Sequence, residues 1–139
     1  MATTGGRQRH ERGASLVEFA LLMPLLLLLV LGIIEFGYVL GEYNEIRHGA
    51  HEGSRLAAVN DSDLINRTCN SMGLGSDITV EFDRTGSGIG DQASVTVSKP
   101  VDSLSGLSFV ESLLPDNLST TAEFRLEQTA TWSTGAQSC

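Results

Sequence analysis

The stretch Arg12–Ile34, RGASLVEFALLMPLLLLLVLGII, decides how the rest of the chain is read. From Ala14 to Ile34 run 21 residues whose one charge is Glu18, with eight leucines between Leu21 and Leu31. At about 1.5 Å of rise per residue, a helix of that length reaches roughly 30 Å, the thickness of a bilayer's hydrocarbon core. The segment is therefore read as a membrane span. Leucine favours insertion by about 0.5 kcal/mol per residue, so the run tolerates a single acid placed near its end, where an acid is less costly than at the centre.

Charge on the two sides of this span is unequal. Met1–Gly13 carries three arginines and one glutamate, net +2, whereas Glu35–Cys139 carries 15 acids and six bases, net −9. The positive-inside tendency places the amino terminus in the cytoplasm and the acidic remainder outside. The whole chain, with 9 basic and 17 acidic residues, has a formal charge of −8, which argues against the broad positive surface that nucleic-acid binding needs. A cleaved secretory signal is a competing reading of the amino terminus. Signal-peptide cores run to about 7–15 residues and end in a small-x-small site, whereas this run continues into Gly-Ile-Ile-Glu-Phe-Gly without an A-x-A pattern.

Gly13, the four residues Ala-Ser-Leu-Val, then Glu18 and Phe19 form G-ASLV-EF, which resembles the processing site of type IV pilin-like proteins. More narrowly, RGASLVEFALLMPLLLLLVLGIIEFG resembles the amino terminus of the TadE-like family, minor pseudopilins of the tight-adherence (Flp) pilus system. The resemblance is close as far as Asn60 and loose beyond it. It implies cleavage by a membrane prepilin peptidase between Gly13 and Ala14, on the cytoplasmic face, and a part for Glu18 in the docking and axial register of subunits. In that reading the chain is a protease substrate and not an enzyme. The implied partners are the lipid bilayer, the prepilin peptidase, other pilins or pseudopilins and the assembly machinery, and the implied roles are pilus assembly, adhesion and biofilm formation. The implied location is the cytoplasmic (inner) membrane, single-pass, with entry into the pilus. The small major subunits of these pili have Glu-Tyr where this chain has Glu18-Phe19, and almost no domain after the helix. Both departures point to a minor subunit. The competing reading keeps the same span but leaves it uncut, as a signal-anchored extracytoplasmic binding or adhesive domain.

An unpaired carboxylate in lipid is expensive, so Glu18 should lie near the edge, be protonated or meet a cation. Cleavage after Gly13 would put a new amino group on Ala14, four residues and about 6 Å along the helix axis from Glu18. The pairing can be an i to i+4 contact within one chain or a contact with a neighbour's amino terminus. The spacing allows both, and the resemblance implies the second. The plainer alternative is an acid that snorkels to the cytoplasmic interface.

Around the span the chain falls into a basic leader (1–13), the span (14–34), an amphipathic extension of the helix (35–60) and a small extracytoplasmic domain (61–139). The leader, MATTGGRQRHERG, is polar and aperiodic and is expected to be disordered. In the extension Phe36, Val39, Leu40, Tyr43, Ile46, Ala50, Leu56 and Val59 recur largely at three- and four-residue steps, opposite Glu42, Glu45, Arg47, Glu52 and Arg55; one face needs a partner. Asn60-Asp-Ser-Asp reads as the stop, with a second short helix running from Ser62 or Asp63 through Arg67. The period then changes to two. Ile78, Val80 and Phe82, and Ala93, Val95 and Val97, predict a hairpin joined by DRTGSGIGDQ. VDSLSGLSFVESLLPDN, with apolar Leu104, Leu107, Phe109, Val110, Leu113 and Leu114, predicts a loop with a short amphipathic helix, and Ser119–Trp132 a third extended segment. The fold class is α+β and pilin-like: a long N-terminal transmembrane helix continuing into a small domain with an approximately three-stranded antiparallel sheet.

Cys69 and Cys139 are the two cysteines, and both fall on the side expected to be oxidising, so a disulfide between them is expected; the alternative is two free thiols, one at a frayed terminus. Gly37 with Gly41, and Gly49 with Gly53, are G-x-x-x-G spacings that let another backbone approach, in an assembled bundle or against the chain's own sheet. His48 and His51 near Glu45 and Glu52 complete no metal motif, so no metal is expected. No P-loop, G-x-S-x-G or dinucleotide fingerprint is present, and neither a cofactor nor a small-molecule substrate is expected.

Overall fold

In the computed structural model, residues 7–75, 77–106 and 111–139 are described, with side chains from Gly13 onward. The elements are α1 (Arg7–Ala58), α2 (Leu64–Ser71), β1 (Thr79–Arg84), β2 (Gln92–Pro100), β3 (Asn117–Arg125) and β4 (Gly135–Ser138). The chain divides into two compact units, with the boundary between Phe36 and Gly37.

The first unit is helical. Residues 1–6 of the expected disordered leader lie outside the described residues, but from Arg7 the backbone is helix, earlier than the start expected at Ala14. Gln8, Arg9, Glu11 and Arg12 have adequate helix propensity, and extending an existing helix avoids the cost of nucleation. Every large apolar side chain from Leu16 to Ile34 is exposed. Among the described residues one helix, within Gly13–Ala58, is long and apolar enough to cross a membrane.

The second unit is a helix layer on one face of an antiparallel sheet. Val39, Ile46, Ala50, Leu56 and Ala57 of α1 share a core with Leu64, Met72, Val80, Phe82, Val95, Val97, Leu118 and Ala122. These are the inward positions of a period near 3.6 on the helix and of period two on the strands. Phe36 and Leu40, also part of the expected apolar face, stay exposed. On the opposite sheet face Glu81, Thr96 and Thr121 stand in register across β1, β2 and β3, and the two threonine hydroxyls are 2.9 Å apart.

The sheet is antiparallel, as expected, and has four strands in the order β3-β2-β1-β4, one more than the approximately three read from the sequence. Strand β4, Gly-Ala-Gln-Ser, has no apolar alternation and pairs with β1 through its backbone. The third extended segment also stops at Arg125, short of Trp132. There the chain leaves the sheet to cap α1: the Glu127 and Gln128 N–H groups donate to the Ala58 carbonyl at 2.9 and 3.2 Å, and Trp132 Nε1 donates to the Ala57 carbonyl at 3.1 Å. Carbonyls in a helix's last turn lack intrahelical donors, and these contacts supply them.

The same helix end is closed by a turn. Asn60 has φ 54°, its N–H donates to Ala57 and that of Asp61 to Leu56, the pairing of a Schellman motif. Asn60 Oδ1 also accepts from the Thr131 N–H at 2.8 Å, tying the capping loop to the stop that the sequence marks. Helix α2 runs to Ser71, beyond the expected Arg67, and its buried Thr68 hydroxyl donates to the Leu64 carbonyl at 2.7 Å. Of the stretch expected to form a loop with a short amphipathic helix, residues 107–110 lie outside the described residues; 101–106 form no helix and 112–113 lie in a turn.

Candidate functional site

Gly13, Ala14, Glu18 and Phe19 all lie on α1 and are exposed. With 3.6 residues per turn, Ala14 and Glu18 share a face one turn apart, and in the uncut chain Ala14 brings no charge to that face. Gly13 is the informative residue. A Cβ added there would meet nothing within 4 Å, and its φ lies outside the left-handed region. Neither packing nor backbone conformation therefore calls for glycine, although glycine inside a helix is about 1 kcal/mol less favourable than alanine.

The four helix-packing candidates divide into two pairs. At Gly49 a Cβ would lie 2.2 Å from Met72 Sδ, and at Gly53 3.0 Å from Thr68 Cγ2 and 3.3 Å from Val95 Cγ1. These two glycines let α1 seat against the α2 region and the sheet of its own unit. At Gly37 and Gly41 a Cβ would meet nothing within 4 Å, so that part of the helix surface is left open.

Residues 13–55 match the family model for TadE-like proteins. The TadE-like segment begins at Gly13 itself and takes in Glu18, Phe19, the apolar run and all four of these glycines. It covers 43 of the 139 residues, and the sheet falls outside it. Comparison with curated proteins and with solved structures finds no match. The match, together with the apolar helix, associates the chain with the membrane and with the tight-adherence pilus system.

Beyond the TadE-like segment, Cys69 and Cys139 are joined by a disulfide with Cα atoms 5.6 Å apart. The Cys139 N–H also donates to the carbonyl of Ile78, the residue before β1, at 2.9 Å, so Cys139 is held there as well as to α2. His48 and His51 are both exposed on α1.

A buried ion pair between Glu42, in the TadE-like segment, and Lys99 was not anticipated. Lys99 Nζ lies 2.7 Å from Glu42 Oε1, and their side chains are 8% and 5% exposed. The signal was present in both periods. Lys99 continues the inward series Ala93, Val95, Val97 on β2, and Glu42 falls between Val39 and Ile46 on the buried stripe of α1. Hydrogen bonding to Glu42, its negative charge and burial raise the Tyr38 hydroxyl above its ordinary pKa of 10.0.

Proposed function

We propose that this chain is a minor pseudopilin of a tight-adherence (Flp) type IV pilus. It is held in the cytoplasmic membrane by residues 14–34, with the leader in the cytoplasm and the acidic domain outside. A prepilin peptidase cuts after Gly13, and the ammonium freed on Ala14 meets the Glu18 carboxylate of a neighbouring subunit during assembly. The chain is a structural subunit and a protease substrate, and through the pilus it serves adhesion and biofilm formation.

The observation that carries this reading is Gly13. It sits in a helix that has no structural need of it, directly before Ala14 and five residues before the one acid of the apolar run. A small residue at a cut site admits the backbone to a protease, a reason for glycine that folding does not supply. The Cys69–Cys139 bond supports an oxidising location for the domain.

Mass spectrometry of the amino terminus, on protein from native membranes, tests the proposal. The expected chain begins at Ala14, with or without N-methylation, and Gly13→Val inserts normally but keeps its leader. A native chain that retains Arg7–Arg12 overturns it and leaves an unprocessed, signal-anchored domain.

A further inference from the structure

The second unit carries an acidic cleft for which the reading above has no use. Tyr38, Glu42, Glu45, Asp77, Lys99 and Asp102 are among its lining residues, and its volume is about 580 Å³. Four carboxylates line it against one ammonium, and Lys99 is already held by Glu42 Oε1 at 2.7 Å. The other carboxylate oxygen, Glu42 Oε2, is buried without a hydrogen-bond partner, on a residue only 5% exposed. A buried acceptor left without a donor costs about 1–3 kcal/mol, and more when charged. Glu45 Oε2 accepts from the Gly73 N–H at 3.2 Å, and the residue is partly buried. The Tyr38 hydroxyl is the cleft's neutral donor to the Glu42 carboxylate, and among the described residues the cleft offers no cationic donor besides Lys99.

The chain has such a donor outside the cleft. Among the described arginines, Arg55 pairs with Glu52 and Arg67 with Asp61. Arg84 donates to the Ala130 carbonyl beneath the Trp132 ring, and Arg125 donates to the Gly90 carbonyl. Arg47 is exposed on α1 and makes no such contact. At about 100° per residue it points roughly 140° away from Glu42 and 160° away from Glu45 around the helix axis, so it cannot turn into the cleft of its own chain.

We propose that this cleft is the docking site for Arg47 of a second copy of the chain. A guanidinium brings five N–H donors in a planar fork, enough to pair with Glu45 and to offer a donor toward Glu42 Oε2. Donor and acceptor lie on opposite sides of one helix, so each copy gives one and receives the other. Such a heterologous contact builds a ring or an open helical assembly, according to whether its rotation closes. The inference rests on the chain being an assembly subunit, and it names the contact outside the membrane that sets the order of copies.

The test uses two differently tagged full-length copies in native membranes, solubilised gently and scored for co-isolation. Arg47→Glu in both copies, or Glu45→Gln in both, should lower co-isolation by about tenfold or more; glutamine keeps an acceptor for Gly73. Glu45→Arg in both copies should do the same. An Arg47→Glu copy mixed with a Glu45→Arg copy has complementary charges at both contacts and should recover pairing. Failure of wild-type copies to co-isolate, indifference to the single changes, or no recovery in the mixed pair overturns the proposal. The amino terminus read in the same samples separates the two readings. A chain starting at Ala14 but indifferent to the charge swap sinks the docking site alone, whereas an uncut chain that pairs through the swap sinks the pilus reading alone.

Discussion

Lys99 on β2 and Glu42 on α1 meet at 2.7 Å across 57 positions of sequence, both out of water. Ion pairs inside proteins gain little over a well-packed apolar pair, but breaking one leaves an uncompensated charge. Here the contact fixes where α1 lies on the sheet near the end of the buried stripe.

Lys99→Ala should destabilise the second unit by about 3–5 kcal/mol, because the Glu42 carboxylate is left buried without its counter-charge. The combined change Lys99→Met with Glu42→Leu should recover most of that loss. Urea denaturation of the full chain in detergent measures both. If Lys99→Ala costs nothing, the pair is not buried as described.

Gly49→Ala should destabilise by about 1–3 kcal/mol, since the new methyl would fall 2.2 Å from Met72 Sδ. Met72→Ala in the same chain should relieve the crowding. Gly41→Ala meets nothing and should raise helix stability by up to about 1 kcal/mol. Thermal melts of the three variants beside the parent check the ranking; a Gly49→Ala chain as stable as the parent would contradict the close approach.

Reduction of Cys69–Cys139 should lower stability by roughly 4 kcal/mol on the chain-entropy model, given its sequence separation of 70. Strand β4 holds four residues to one neighbour, so its amides and that of Cys139 should be the first to lose hydrogen-exchange protection. Unchanged protection in the reduced chain would mean that backbone pairing alone holds the terminus.

The hydrogen bond from Arg55, and then its positive charge, hold the Glu52 carboxyl below its ordinary 4.5. A depressed carboxylate pKa stabilises the fold above the unfolded value, and that contribution fades as pH falls through the folded midpoint. Glu52 should therefore titrate below 4.5, and Arg55→Gln should move its midpoint upward in an NMR titration. The change in stability should be small and weaken further with salt, because Arg55 is largely exposed. A midpoint indifferent to Arg55 would show that the contact is not kept in solution.

The span and the candidate cut site were legible because their signals are local. Twenty-one residues with one charge need no tertiary context to be read as lipid-soluble, and G-ASLV-EF is contiguous. The alternation of Ile78, Val80 and Phe82, and of Ala93, Val95 and Val97, likewise showed two strands, since one buried face imposes period two. Strand β4 was not legible. Gly-Ala-Gln-Ser carries no such alternation, and it is a strand because β1 offers backbone partners and a disulfide fixes its end. The third strand was overextended in sequence because Ala130 and Trp132 keep the alternation going. Ala130 is buried against Ala93 and Leu126, and Trp132 reaches the Ala57 carbonyl at the end of α1, contacts between distant parts of the chain.

What the sequence determined by itself is the long apolar helix, its amphipathic continuation and an α+β domain behind it, because hydrophobic length and period act through neighbours in the chain. The tertiary structure alone decided which glycines are filled and which stay open, that Lys99 reaches Glu42, and that the last residues complete the sheet. Those outcomes depend on which surfaces meet at van der Waals distance, and residues far apart in sequence carry no record of that until the chain has folded.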